Sequence, residues 1–279
     1  MAGLIDDEKT SESIASASYI DAHLHVDLYA AGERDELLKK AFEEGVVSVV
    51  AVSMHLQSSK VNRELALRYP GQLHPAYGFH PEQPIPSEAE LEELFAWISL
   101  RHEAGEPFAI GEVGLPYYIR TDAEAAGAFF DEKPYLALLE QFAVLAASLD
   151  RPIVLHAVYE DADKTCDILA EHGVQKAHFH WFKGNEETVQ RMIACGYMVS
   201  VTPDVAYEEE IRRIVEQYPL ELLMVETDGP WPFEGPFAGE PTRPAMAADA
   251  AAHIAQIKQL TAEQTANILL ANTRRFYGL

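Results

Sequence analysis

Short runs of consecutive apolar residues alternate along the chain with longer stretches in which apolar residues recur every three or four positions. Runs such as VVSVVAV (Val46–Val52), PIVL (Pro152–Leu155) and LLMV (Leu222–Val225) are too uniformly apolar for a sheet with one wet face. They predict parallel strands covered on both sides. The expected strands are Tyr19–His23, Val46–Val52, Leu73–Phe79, Phe108–Val113, Pro152–His156, Ala177–His180, Tyr197–Val201 and Leu222–Thr227. The helical patterns between them cover Glu33–Glu44, Ser58–Arg68, Ser87–Glu103, Lys133–Leu149, Asp161–His172, Glu186–Cys195 and Tyr207–Gln217, and two more, Pro244–Ile257 and Thr261–Tyr277, close the chain. Gly45, Gly71, Gly105, Gly173 and Gly196 stand where helices should end. Strand-then-helix units of about 30 residues each predict an α/β fold of the (β/α)8 TIM-barrel type. It forms a single domain over residues 19–279, after a polar tail at residues 1–18. An open doubly wound sheet is the rival, but no GxGxxG follows the first strand. The Gly229–Pro244 stretch reads as one long loop, and the charge runs DELLKKAFEEG and SEAELEELFAWI as solvated faces of outer helices.

Composition narrows the function classes. The chain has 279 residues, 48% hydrophobic and 24% charged, which fits a globular domain and not a disordered one. The tail lacks the basic start and apolar stretch of a secretory signal, and no apolar run approaches the roughly 20 residues of a membrane helix. Only Cys166 and Cys195 are present, without CxxC spacing. They suit a reducing cytoplasm, exclude a disulfide scaffold or thiolate metal site, and read as buried, inert thiols. The formal net charge of −24 repels polyanions, so extended binding to duplex DNA is not expected.

The candidate chemistry sits at the ends of the predicted strands. His23 and His25 are two apart on an extended segment, so both imidazoles point to one side, as a metal pincer or as two histidines in a turn. Glu112 ends the fourth strand, His156 the fifth, His180 the sixth, and Asp228 follows the eighth. The C-terminal strand ends are where active sites of this barrel lie, and ligand-type residues at five of them are not expected by chance. Four imidazoles and two carboxylates suit two divalent ions, His23, His25 and Asp228 around one, His156 and His180 around the other, with Glu112 spanning both. Among zinc, manganese and magnesium, the nitrogen-rich shell favours the first two. Two such ions contribute +4 against −2 from the carboxylates, a local surplus that would attract a phosphoryl group despite the acidic exterior. His178 is expected one layer deeper as a core histidine. His55 follows the second strand within possible reach of the rim, whereas His74, His102, His172 and His253 read as surface or structural. Trp231, Phe233 and Phe237 are expected either to stack a nucleobase or to cap the barrel.

The stretches IDAHLHVD, GFHPE (Gly78–Glu82), IGEVGL (Ile110–Leu115), PIVLHA (Pro152–Ala157), HFHWFKG (His178–Gly184) and VETDGPW (Val225–Trp231) together resemble the TatD family of metal-dependent hydrolases, within the amidohydrolase-like barrel superfamily. The resemblance implies a (β/α)8 barrel with one or two metal ions and hydrolase activity, often on DNA or another phosphodiester. It implies His23, His25, Glu112, His156, His180 and Asp228 as metal positions, Asp228 and Glu112 as catalytic, and His80 as facing the substrate phosphate. Arg243, the one cation on the loop after Asp228, is the candidate for pairing with a phosphate, with Lys183 competing for that task. The substrate shell departs from the family pattern. Pro116 stands where Asp is usual, Val158 where Arg is common, Lys183 replaces a Ser, and the basic segment thins to Glu240–Pro244. The expected activity is therefore hydrolysis of a small phosphodiester or of single-stranded or terminal DNA. An amidohydrolase or lactonase acting on a carbonyl compound is the alternative, and a silent scaffolding barrel the third reading. Strand four offers Glu112 and no lysine that could be carboxylated as a bridge, which favours the first.

Overall fold

The computed structural model describes residues 17–279, so residues 1–16 of the expected tail lie outside the described part. Eight strands, β1 (Tyr19–Leu24), β2 (Val46–Ala51), β3 (Leu73–Tyr77), β4 (Ala109–Gly114), β5 (Ile153–His156), β6 (Ala177–Phe179), β7 (Met198–Val201) and β8 (Leu223–Val225), lie side by side in chain order. Every pair is parallel. Helices follow the strands: α1 (Arg34–Glu43), α2 (Leu56–Arg68), α3 (Glu88–Glu103), α4 (Tyr117–Ala125), α5 (Lys133–Leu149), α6 (Glu160–Glu171), α7 (Glu186–Cys195), α8 (Glu209–Gln217), α9 (Ala247–Lys258) and α10 (Ala262–Tyr277). This is the expected (β/α)8 TIM barrel.

Two layers of apolar packing hold it. Between the strands and the helix ring a large core runs through Tyr77, Leu94, Ile98, Phe142, Phe179 and Tyr218. Inside the barrel the residues are smaller. Val50, Ala76, Ala109 and Val154 form one cluster and Ala22, Met198 and Met224 another, and Tyr277 packs against both. Small and aliphatic side chains fill a closed strand ring without forcing it open. On α3 only Leu94 and Ile98 are buried, and on α1 only Leu38 and Ala41, so the two charge runs do face solvent.

The seam between β8 and β1 is joined just past the end of β8. Asp228 N–H donates to the His23 carbonyl at 2.9 Å and His25 N–H to the Gly229 carbonyl at 2.9 Å. The Asp21 carboxylate accepts from Thr227 N–H at 3.0 Å and Thr227 Oγ1–H at 2.5 Å. The seam therefore sets the first and last ligand-type residues of the chain against each other.

Three expectations are corrected. Helix α4 lies where only a departure from the family pattern was noted. Strand β8 stops at Val225 because the chain turns over the mouth, where Asp228 takes φ 49°, a left-handed conformation that Asp tolerates better than most residues. Cys195 is exposed, the last residue of α7 before the Gly196 turn, whereas Cys166 is buried as expected. No helix among the described residues is long and apolar enough to cross a membrane.

Candidate metal centre

Seven of the predicted residues meet at the C-terminal mouth, the six expected ligands and His80. Glu112 is at their centre and is completely buried. Its two oxygens face different partners. Oε2 lies 3.1 Å from His23 Nε2 and 3.1 Å from His25 Nε2. Oε1 lies 2.7 Å from His180 Nε2, 3.1 Å from His156 Nδ1 and 3.5 Å from His80 Nε2. Asp228 Oδ1 completes the first group, 3.4 Å from both His23 Nε2 and His25 Nε2.

Local sequence explains how the carboxylate arrives there. The register of β4 against β5 slips between Ile110 and Val113, and Glu112 enters the barrel within that irregular stretch. Gly78 makes room for it. A Cβ at Gly78 would lie 2.7 Å from the Glu112 carbonyl oxygen and 2.7 Å from Val113 Cγ1, so the first residue of GFHPE is glycine because two backbones pass in contact.

The donor set fits divalent cations. His23 Nε2, Glu112 Oε2 and Asp228 Oδ1 are buried and have no hydrogen-bond partner although they converge on one another. Buried polar atoms left that way are rare, and lone pairs aimed at a common point are what a cation satisfies. Three overlapping groups have ligand atoms close enough to share an ion: His23, His25 and Glu112; His23, His180 and Asp228; and His80, Glu112 and His156.

Protonation follows burial and neighbours. Burial works to raise the Glu112 carboxyl, but His180, His80 and His23 overcome it and hold it well below the usual carboxylate range. Burial would lower His25, but its contacts with Asp228 and Glu112 push it up to about 10. His156 is likewise lowered by burial but raised, by Glu112 and Glu82, to about 9. His23 falls well below its ordinary value through burial and the nearby His180. Burial takes His80 down to about 3.

Two hydrogen bonds distinguish His80 from His156. Glu82 N–H donates to His80 Nδ1 at 3.1 Å, so a neutral His80 carries its proton on Nε2, the atom facing Glu112. His80 therefore presents a donor to the site, not a lone pair, although it stands close enough to be a ligand. In His156 the nitrogen facing Glu112 and His180 is Nδ1, and Nε2 lies 3.2 Å from the Glu82 carboxylate.

The residues weighed and set aside fall mostly as expected. His178 is buried in the core, its Nδ1 2.7 Å from Tyr277 Oη and its Nε2 2.5 Å from Ser200 Oγ. His55 caps α2, accepting from Ser58 N–H, and takes no part in the cluster. His102, His172 and His253 pair with Arg151, Glu140 and a backbone carbonyl. Phe233 is buried and packs on Trp181 with ring centroids 5.8 Å apart, so it caps the barrel. Trp231 is 45% exposed. Arg243 lies 3.2 Å from Glu240, and Lys183 Nζ sits 5.7 Å from the Trp181 ring centroid. Glu82 was missed. Its signal was its place two residues after His80, in a motif read only for its histidine.

The sequence profile described as TatD related DNase matches residues 20–278. The chain belongs to the TatD family. It is 35% identical over 93% of its length to an uncharacterized metal-dependent hydrolase of Haemophilus influenzae, of which it covers 99%. It is 28% identical to the human protein named Deoxyribonuclease TATDN3, over 94% of this chain and 96% of that one. Among solved structures it is similar to YjjV, a TatD homologue from Escherichia coli, with a TM-score of 0.79, 26% identity, and coverage of 94% and 99% of the two chains. This TatD family chain is a metal-dependent hydrolase.

Proposed function

We propose that the protein is a phosphodiesterase with a dinuclear centre, acting on a small phosphodiester or on the end of single-stranded DNA. The observation that carries this reading is the two-sided carboxylate of Glu112, one oxygen on His23 and His25 and the other on His156 and His180. That is the arrangement of a bridging ligand. His23, His25 and Asp228 would hold one ion, and His156 and His180 the other. The deoxyribonuclease name of the human relative supports a phosphodiester substrate.

When bound, the ions supply Lewis-acid charge that polarises the phosphoryl group and makes water a better nucleophile at neutral pH. The chain's own groups do the rest. Asp228, only 4% exposed at the rim, takes the proton of the attacking water as its oxygen bonds to phosphorus, and returns it to the leaving oxygen as the ester P–O bond breaks. His80 donates from Nε2 to a phosphoryl oxygen, its proton held there by the Glu82 amide. Tyr118 and Trp181 wall the mouth and keep bulk water from the reacting phosphorus. Arg243, on the loop beyond, would meet a phosphate only after leaving Glu240.

The test is a substrate panel on enzyme stripped with chelator and reloaded with manganese or zinc. Loss of bis(p-nitrophenyl) phosphate hydrolysis on chelation and its return on reloading is the expected result. Hydrolysis of p-nitrophenyl acetate alone would transfer the protein to the carbonyl-hydrolase reading, and inactivity on both would leave a binding barrel.

A further inference from the structure

The mouth has a composition of its own. Above the ligand cluster lies a cavity of about 460 Å³, walled by Tyr118, Ile119, Val158, Trp181, Trp231 and Pro232. Its charged lining besides the histidines is acidic, Glu82 and Asp228, and among the described residues no lysine or arginine lines it. Nearby cations are engaged. Arg243 pairs with Glu240, Arg120 with Glu160 and Asp161 at 2.8 and 3.0 Å, and Lys183 lies against the Trp181 ring. A groove that follows a nucleic-acid strand needs a row of cations, because each engaged phosphate must be neutralised. Here one position, the ligand cluster, can receive an anion, and apart from the Glu82 carboxylate the lining around it is aromatic or aliphatic.

Resting on the phosphodiesterase reading, we infer that the substrate is recognised through a single ionised phosphate and one planar or apolar ester group. Recognition ends about one nucleoside from the scissile bond. A volume of this order holds a nucleoside-sized group, and Trp231, half exposed at the rim, is placed to stack on it. The substrate class is a phosphodiester of dinucleotide size or smaller, bearing a base or another aromatic ring.

The experiment compares thymidylyl-thymidine, a 12-residue oligothymidylate and bis(p-nitrophenyl) phosphate on manganese-loaded enzyme at 50 to 300 mM salt. The inference expects kcat/KM for the dinucleotide within about threefold of the 12-mer, and a log–log salt slope no steeper than about −1, the value for one phosphate. It also expects Trp231→Ala to raise the dinucleotide KM about tenfold with kcat nearly unchanged, as lost stacking should. A 12-mer preferred by tenfold or more, or a slope steeper than −3, overturns the inference and leaves the phosphodiesterase reading standing. If all three phosphodiesters survive while p-nitrophenyl acetate is hydrolysed, the parent reading fails and this one with it.

A separate observation concerns Glu82. Its two oxygens accept from Tyr118 N–H and Ile119 N–H, each at 2.8 Å, at the start of α4, and Oε1 lies 3.2 Å from His156 Nε2. A carboxylate that accepts from two amides has remaining lone pairs free to accept from the imidazole N–H as well. We infer that Glu82 is a positioning residue: it fixes the His156 proton on Nε2 so that Nδ1 is a lone pair toward Glu112, and it ties that ligand to the helix carrying Tyr118. This rests on His156 being a ligand, and its tests do not depend on turnover. Nitrogen NMR of the zinc-loaded enzyme should report the Nε2–H tautomer for His156. Glu82→Gln and Glu82→Ala should lose about 10- to 100-fold in affinity for one of two zinc ions in titration while keeping the other. Circular dichroism identifies any variant that does not fold, and the tautomer measured on the unaltered protein stands without the variants. An Nδ1–H tautomer, or zinc affinities within twofold of the parent in a folded Glu82→Ala, overturns it.

Discussion

Asp21 is fully buried and is the side-chain link across the β8–β1 seam. Its carboxylate accepts from Thr227 N–H at 3.0 Å, from Thr227 Oγ1–H at 2.5 Å and, more weakly, from His23 N–H at 3.3 Å. Asp21→Ala leaves two well-formed donors and one marginal one without a partner in a site closed to water. An orphaned buried donor costs about 1–3 kcal/mol. Taking each Thr227 donor at about 1.5 kcal/mol, in the lower half of that range, and giving nothing to the third, the variant should lose about 3 kcal/mol. At roughly 2–4 °C per kcal/mol for a chain of this size, that is a drop of roughly 6–12 °C in Tm. Asp21→Asn keeps one acceptor oxygen and should lose about 1 kcal/mol. Urea unfolding followed by tryptophan fluorescence measures this, with chelator in every sample so that ion binding does not enter the midpoint. Because Thr227 and His23 adjoin Asp228 and His25, zinc affinity should fall in Asp21→Ala along with stability. An alanine variant within 0.5 kcal/mol of the parent in chelator would refute the argument that this carboxylate closes the barrel.

Three other outcomes are expected. Glu112→Gln keeps the shape of the buried side chain but removes its charge and one ligating oxygen, so metal analysis after loading should find at most one ion per chain; two retained ions would reject the bridge. Gly78→Ala puts a Cβ 2.7 Å from the Glu112 carbonyl oxygen, and should cost about 1–3 kcal/mol and weaken metal binding, whereas a variant of parental stability and affinity would mean that β3 and β4 yield freely. Glu106, bonded by Arg63 at 2.6 and 2.7 Å, is held below the usual carboxylate range by that guanidinium. Its lowered folded value means the contribution is complete above about pH 5 and is lost as pH falls through the folded value. In this partly exposed pair Glu106→Gln should cost about 0.5–1 kcal/mol at pH 7, with parent and variant converging in acid; a constant difference down to pH 3 would contradict the linkage.

The barrel and the gathering of these side chains at its mouth were legible for the same reason. A strand inside a closed parallel sheet must be apolar on both faces, so an ionisable residue at its end stands out, as Glu112 does in IGEVGL and His156 in PIVLHA. What was not legible depends on contacts between distant segments. Helix α4 begins after Pro116, with no Ser, Thr, Asp or Asn at its start and no side-chain cap from its own segment, so a local reading has no reason to begin a helix there. The missing acceptor is Glu82, which takes the Tyr118 and Ile119 amides from another loop of the mouth. The same carboxylate faces His156 from a third strand end. Glu82 becomes interpretable only when the barrel brings those three segments together, and so do the opposite orientations of the His80 and His156 rings, Nε2 toward Glu112 in the first and Nδ1 in the second. Strand-end chemistry states which atoms can bind an ion. The fold decides which imidazole nitrogen faces Glu112, Nδ1 in His156 and Nε2 in His80, and on that difference rests the proposed division between ligands and the group that meets the substrate.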